Sequence, residues 1–318
     1  MLKNLSLKNF KGFELLNDIH FKPITILCGV NSSGKSSILK SLLLLKQTIM
    51  GQQLNSGLLL NGKYVKLGAF ENIIYSHDLE KEIEFSLNYS FDELKEILRK
   101  SRIKMILKDF FNIDISKKNP KNLRFSFTFK YISNDFVVSR LSIEGNDVSI
   151  ELIYLEKDKY ILNCKNICNF SENSITKEKK IVEVRFNYPL IPAVHFNNDD
   201  SKDEQEFKFK RSVDMMFYYS NNILTYLLDQ ITYIGPLRKE PERRYIYEDE
   251  ILSIGNKGEN AAFIYAKEKN TKISSYFYNV KKNQFDYDTV KLSTALNRWL
   301  KLMNINDFDN NQFHFVGT

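Results

Sequence analysis

Eight consecutive residues, Gly29-Val30-Asn31-Ser32-Ser33-Gly34-Lys35-Ser36, fit the pattern G-x-x-x-x-G-K-[ST] in full. The chemistry served by that spacing is the capture of a polyphosphate. Phosphates carry dense negative charge, and a helix N-terminus offers unbonded N–H groups with a dipole equivalent to about half a positive charge. Gly29 lets the chain leave a strand sharply, and Gly34 lets backbone approach phosphate without an intervening Cβ. Lys35 is placed to reach the β- and γ-phosphates, and the Ser36 hydroxyl is a hard oxygen ligand suited to Mg²⁺.

Such a loop needs a strand to anchor it and a helix to open. Ile24-Thr25-Ile26-Leu27-Cys28 is a nearly continuous apolar run, the pattern of a strand buried on both faces of a parallel sheet. The spacing predicts a helix from about Lys35 to Met50, in which Leu42, Leu43, Leu44 and Leu45 point about 100° apart and cover every side. That helix must be buried nearly all round. Strand, glycine loop and buried helix open an α/β nucleotide-binding domain. Leu2–Phe10, alternating through Leu5 and Leu7, reads as a first strand closed by the turn Lys11-Gly12.

From about Gly57 the character changes. Asn61-Gly62 between two apolar runs signals a type I′ hairpin. Ile83, Phe85, Leu87 and Tyr89 alternate with polar residues as a half-exposed strand, and Ser90 with Glu93 forms a capping box for a helix to about Phe111. Phe125, Phe127, Phe129 and Tyr131 alternate next, followed by runs near Phe136–Glu144, Val148–Leu155 and Lys159–Cys164. The turns Gly145-Asn146-Asp147 and Glu156-Lys157-Asp158 between them make an antiparallel meander. Its aromatic stripes could stack single-stranded bases, but a sheet packed on a core predicts the same pattern and is the preferred reading.

The charged stretch Asn197–Lys210 reads as a mobile loop. The α/β pattern then returns, with a helix from Met215 to Asp229, a short strand Ile231–Ile234, and helices Ala261–Lys267 and Lys291–Met303. The expected architecture is an α/β fold in three parts. These are a nucleotide-binding core with a β lobe at 1–89, an inserted, mainly antiparallel subdomain at 90–210, and a return to the α/β head at 211–318.

The composition, 43% hydrophobic and 27% charged over 318 residues, is that of a globular protein. No apolar run approaches the ~20 residues needed to span a bilayer, so no membrane is expected, and the start MLKNLSLKNF alternates like a strand rather than a signal peptide. Three cysteines (Cys28, Cys164 and Cys168) are too few for a disulfide framework, so a reducing, cytoplasmic setting is expected. The net charge of +7 allows an anionic partner without demanding one. Cys164 and Cys168 lack a histidine pair at zinc-site spacing and are assigned to packing. His20, His195 and His314 converge on no nucleophile pattern.

Leu5–Phe13 (LSLKNFKGF) with Gly29–Thr48 (GVNSSGKSSILKSLLLLKQT) resembles the N-terminal half of the SMC/RecF/OLD-like group of ABC-type ATPases. The likeness is greatest to the bacterial AAA-family ATPases of genome-maintenance and anti-phage loci. Gly62–Asp78 resembles that group's hairpin-then-helix lobe, and Tyr233–Tyr245 with Gly255–Ala266 its middle region. The resemblance implies a P-loop NTPase (ABC/RecF-like) head with an antiparallel β lobe and an inserted α+β subdomain. It also implies ATP and Mg²⁺ as cofactors, a homodimer or higher oligomer closing on ATP, and a nuclease or nucleic-acid partner. Carried over by position, Asn31, Ser32, Ser33, Gly34, Lys35, Ser36 and Ser37 wrap the triphosphate, and Ser36 also meets Mg²⁺. Asn9, Phe10 and Lys11 sit near the adenine, ribose or phosphates, with a strand end and core phenylalanine as the competing reading. Arg238, Arg243 and Arg244, near Pro236 and Pro241, either meet phosphate of nucleic acid or of nucleotide across a dimer, or form a solvated loop paired with Glu240, Glu242 and Glu248.

The group also uses a signature Ser-Gly motif, an apolar strand ending in Asp-Glu, and a switch histidine in its final third. No run of four apolar residues followed by two carboxylates occurs here, and that carboxylate normally orients the attacking water or acts through the metal. The chain alone is therefore expected to bind nucleotide and to hydrolyse it poorly or not at all, with a downstream segment or a second polypeptide supplying the rest. Gln47 is no substitute metal ligand, being eleven residues beyond Ser36 on one helix, roughly 16 Å away. His77 or Asp78 is nearer the expected position, with a solvated loop pair the favoured reading. The competing function is a non-catalytic nucleotide-binding protein that recruits a partner through its β subdomain.

Overall fold

Period-two alternation becomes layers once strands pair. In the computed structural model, which describes residues 2–31, 33–51, 57–91, 102–111, 113, 122–132, 135–167, 180–186, 190–196, 204–235, 258, 260–279 and 284–302, the chain forms two compact units, Met1–Thr232 and Tyr233–Thr318. The first is built on nine strands: β1 (Leu2–Phe10), β2 (Phe13–His20), β3 (Ile83–Ser90), β4 (Asn122–Ile132), β5 (Asp135–Gly145), β6 (Val148–Glu156), β7 (Lys159–Lys165), β8 (Lys180–Arg185) and β9 (Ala193–His195). They make one sheet in the order β2-β1-β3-β4-β5-β6-β7-β8-β9, antiparallel at every junction.

Register places Leu7, Phe85, Phe127, Leu141, Leu152 and Leu162 in one row across six strands, each at most 3% exposed. Burying each of these side chains contributes about 1.5–3 kcal/mol. The adjacent row on the opposite face is Ser6, Ser86, Ser126, Ser142 and Glu151, and the hydroxyls of Ser86 and Ser126 meet at 2.9 Å. One face is therefore core and the other polar. Phe125, Phe127 and Phe129 are fully buried, as a sheet packed on a core requires, and are closed to bases. The expected boundary at 89/90 falls within β3, which continues to Ser90 and pairs with β4 in this sheet.

Helix α1 (Lys35–Met50) is buried as expected, with Leu42 to Leu45 all at most 8% exposed. Helix α2 (Arg102–Phe111) ends where expected, whereas Glu93 of the anticipated capping box lies outside the described residues. Helix α3 (Glu204–Asp229) begins eleven residues before the expected Met215 and corrects the reading of Asn197–Lys210 as a loop over its last seven residues. The reason is electrostatic: Glu204 pairs with Lys208 at 2.5 Å and Glu206 with Lys210 at 3.6 Å, both at i,i+4, and two acids sit in the first turn. α3 packs against α1.

Two expected strands are not formed. Ile24–Cys28 is irregular, with Ile24 83% and Ile26 78% exposed, and Ile231–Ile234 is likewise unpaired among the described residues. A strand buried on both faces needs parallel neighbours, and every strand pair of this unit is antiparallel. The Asn61-Gly62 turn is also different from the expected type I′. Neither residue has positive φ, and the loop closes instead through Gly62 N–H to Val65 O (2.9 Å) and an Asn61–Lys66 bridge. The side chain of Asn61 bonds both backbone groups of Gly68 at 2.9 Å.

The second unit contains α4 (Ala261–Glu268), β10 (Lys272–Asn279), β11 (Gln284–Lys291) and α5 (Leu292–Leu302). Both helices were expected, and the antiparallel hairpin between them was not. α5 packs on the hairpin, where the Arg298 guanidinium meets both oxygens of Asp288 at 2.9 Å and lies over the Phe277 ring at 4.5 Å.

Candidate functional site: a glycine loop at the head of a buried helix

Because α1 is buried on every side from Ser41 to Ile49 it is locked in the core, and its N-terminus is a fixed point. Gly34 caps it in a left-handed conformation (φ 89°), a backbone that costs side-chain-bearing residues about 1–2 kcal/mol. Gly34 O accepts from Ser37 N (2.9 Å) and Ile38 N (3.2 Å), which starts the helix. The first turn holds no acidic residue and no side-chain cap, so the dipole there is left to an incoming anion. The Lys35 ammonium folds back onto the carbonyls of Gly29 (2.8 Å) and Val30 (2.6 Å). Asn31, Ser33 and Ser36 are exposed along the loop, Ser37 is half-buried, and Ser32 lies outside the described residues.

A methyl group at Gly29 would come within 2.8 Å of Ser33 Oγ, and one at Gly34 would overlap the ring of Phe13. The cradle is thus shaped by glycines at both ends. Donor type, charge and exposure all fit a triphosphate held by loop amides and Lys35, with the Ser36 hydroxyl offered to Mg²⁺. Phe13 was not legible as part of this site, because a single aromatic after a turn carries no motif.

The trio on the β1 turn divides. Phe10 is fully buried and edge-on to Phe85 at 5.2 Å, and the Asn9 amide donates to Glu82 O at 2.8 Å. Both serve the strand end rather than a ligand. Lys11, half-buried with its N–H bonded to Ile73 O (2.6 Å), is different. Burial, and then the neighbouring Lys40 ammonium of α1, hold its pKa below the usual lysine range. Two cations close together beside α1 form a local field that an anion relieves.

Further along α1 the polar residues are structural. Gln47, 3% exposed, donates to the carbonyls of Leu59 and Val65 and accepts from Tyr64 N (3.2 Å) and Val65 N (2.9 Å). All its capacity holds the 58–67 loop, in keeping with its exclusion as a metal ligand. Lys46, 4% exposed, donates to Asp229 O (2.9 Å) and Ile231 O (2.7 Å), closing the C-terminal end of α3. His77 Nδ1 donates to Glu71 O (2.5 Å), and Asp78 accepts from Glu80 N (3.1 Å) beside Lys81, so both are engaged in an exposed turn.

Among the described residues no cluster of His, Cys, Asp and Glu could hold a metal. Arg238, Arg243, Arg244 and Cys168 lie outside the described residues.

A family model described as an AAA ATPase domain matches residues 1–313. The chain belongs to that family. Membership in the AAA ATPase domain family supports ATP binding by this chain, and such ATPases ordinarily work with Mg²⁺. No curated protein matches the chain. No described helix of this AAA-family domain is long and apolar enough to cross a membrane.

Proposed function

We propose that this AAA-family domain is of the SMC/RecF/OLD-like type. It is an ATP-binding head that pairs with a second head on ATP, as a homodimer or higher oligomer, and passes the change to a nucleic-acid-directed or anti-phage effector in the cytoplasm. One observation carries the reading: the flank by which the chain enters the glycine loop is apolar and uncovered, with Ile24, Ile26 and Val30 each at least 78% exposed. Exposed apolar surface of this kind marks interaction sites, and here it is continuous in sequence with the nucleotide loop. A partner covering it would also sense the nucleotide.

In this reading the covering segment, from downstream residues or a second polypeptide, brings the carboxylate that activates water. Arg238, Arg243 and Arg244 contact phosphate of nucleic acid or of the other head's nucleotide. The test is turnover of radiolabelled ATP by the purified chain, with and without its neighbouring gene product, beside light scattering with and without ATP. Turnover appearing only with the partner, with mass doubling on ATP, supports the split ATPase. Binding with no turnover in either tube favours the non-catalytic, partner-recruiting protein.

A further inference from the structure

The hairpin β10–β11 carries its acids on one face, among Ile273, Phe277 and Val290, and exposed aromatic rings on the other. Its face toward α5 carries the acids: Asp288, bonded to Arg298, and Asp286, which accepts from Asn279 (2.8 Å) and Gln284 (3.1 Å). Its other face carries tyrosines. Tyr276 and Tyr287 are direct cross-strand partners with ring centroids 4.9 Å apart, yet they are 62% and 57% exposed. The pair two residues on in the register is Tyr278 and Phe285. The pair two residues back is Ser274 and Thr289, both exposed, and beyond it stand Lys272 and Lys291, also exposed. No carboxylate occupies any of these eight positions.

Like charges placed directly opposite destabilise an antiparallel pair, and neither lysine has an ion pair among the described residues. An uncovered aromatic pair beside two uncompensated cations is complementary to one class of partner, a chain of stackable rings joined by anions. We propose that this face of β10–β11 binds single-stranded nucleic acid, with bases stacking on Tyr276 and Tyr287 and the backbone phosphates meeting Lys272 and Lys291. A second copy of this face is disfavoured as occupant, because it would add two more ammonium groups and no acid. The surface belongs to the second unit and the glycine loop to the first, and the proposal does not rest on ATP binding.

The test is fluorescence anisotropy of labelled oligo(dT) and oligo(U) with the full chain in the absence of nucleotide, so that failure here leaves the ATP-binding reading untouched. Stacking is lost base by base, so Tyr276→Ala with Tyr287→Ala should weaken binding by roughly 30-fold or more. Tyr276→Phe with Tyr287→Phe, which keeps the rings, should retain it. Lys272→Gln with Lys291→Gln should flatten the dependence of log K on log salt by about 1.4. Absence of binding, equal affinity of the double alanine variant, or equal affinity for duplex would each overturn the proposal.

Discussion

The ring of Phe13, the first residue of β2, occupies the space a side chain at Gly34 would need, so the β1–β2 hairpin is keyed to the head of α1 at one carbon atom. Gly34→Ala meets two obstacles: the left-handed backbone, at about 1–2 kcal/mol, and the ring. Phe13→Ala removes only the second. In urea titrations the double variant should be more stable than the sum of the singles by about 1 kcal/mol, beyond the ~0.5 kcal/mol expected of independent sites. Simple additivity would mean that the contact carries no energy. Gly34→Ala should also weaken ATP binding, since relief of the left-handed backbone and of the clash with Phe13 shifts the loop amides.

Lys35 binds carbonyls of its own loop at 2.8 and 2.6 Å while half-buried. Those bonds lie at the surface, so Lys35→Ala should shift unfolding by no more than about 1 kcal/mol. The charge-assisted phosphate contact is worth about 1.5–3 kcal/mol, and ATP affinity should fall about tenfold or more. Calorimetry showing unchanged affinity in a folded variant would count against Lys35 as a phosphate ligand.

The meander was legible to within a residue or two at β5, β6 and β7, because period-two alternation and a turn at each end leave one solution. α1 was legible from four adjacent leucines. Ile24–Cys28 was not, because an apolar run encodes burial only when neighbouring strands exist to bury it. Phe10 was open to two readings until its contact with Phe85 placed it in the core. The β10–β11 hairpin escaped notice for a physical reason: Asp286 and Asp288 share the face toward α5 with Ile273, Phe277 and Val290 while tyrosines stand outward, so the apolar/polar alternation on which strand recognition rests is blurred.

Lys46 and Asp229 separate a buried hydrogen bond from a surface ion pair. The ammonium is enclosed and satisfies two carbonyls, whereas the Asp229 carboxylate is 3.7 Å away with its side chain 55% exposed. Lys46→Met leaves both acceptors without their charged donor and should cost about 2–3 kcal/mol in urea unfolding. Asp229→Asn should cost less than about 1 kcal/mol. Equal costs would mean that the ion pair, rather than the helix-end carbonyls, fixes α1 to α3.

Cys28 and Cys164 give the site a chemical readout. Cys28 is exposed and adjoins Gly29, whereas the Cys164 thiol on β7 is pushed up to about 12 by burial, partly offset by Lys180. At mildly alkaline pH, iodoacetamide should label Cys28 and spare Cys164 in the folded chain, label both in urea, and label Cys28 more slowly once Mg–ATP fills the loop; peptide mass mapping reads all three. The sign of the pH effect follows from the raised thiol. Between the ordinary value of 9.0 and about 12 the native state holds the Cys164 proton that the unfolded state releases. This contribution to stability is therefore complete below pH 9 and declines as the pH rises toward 12. Cys164→Ala should flatten that alkaline decline in unfolding free energy, and a decline of unaltered slope would show that another group causes it.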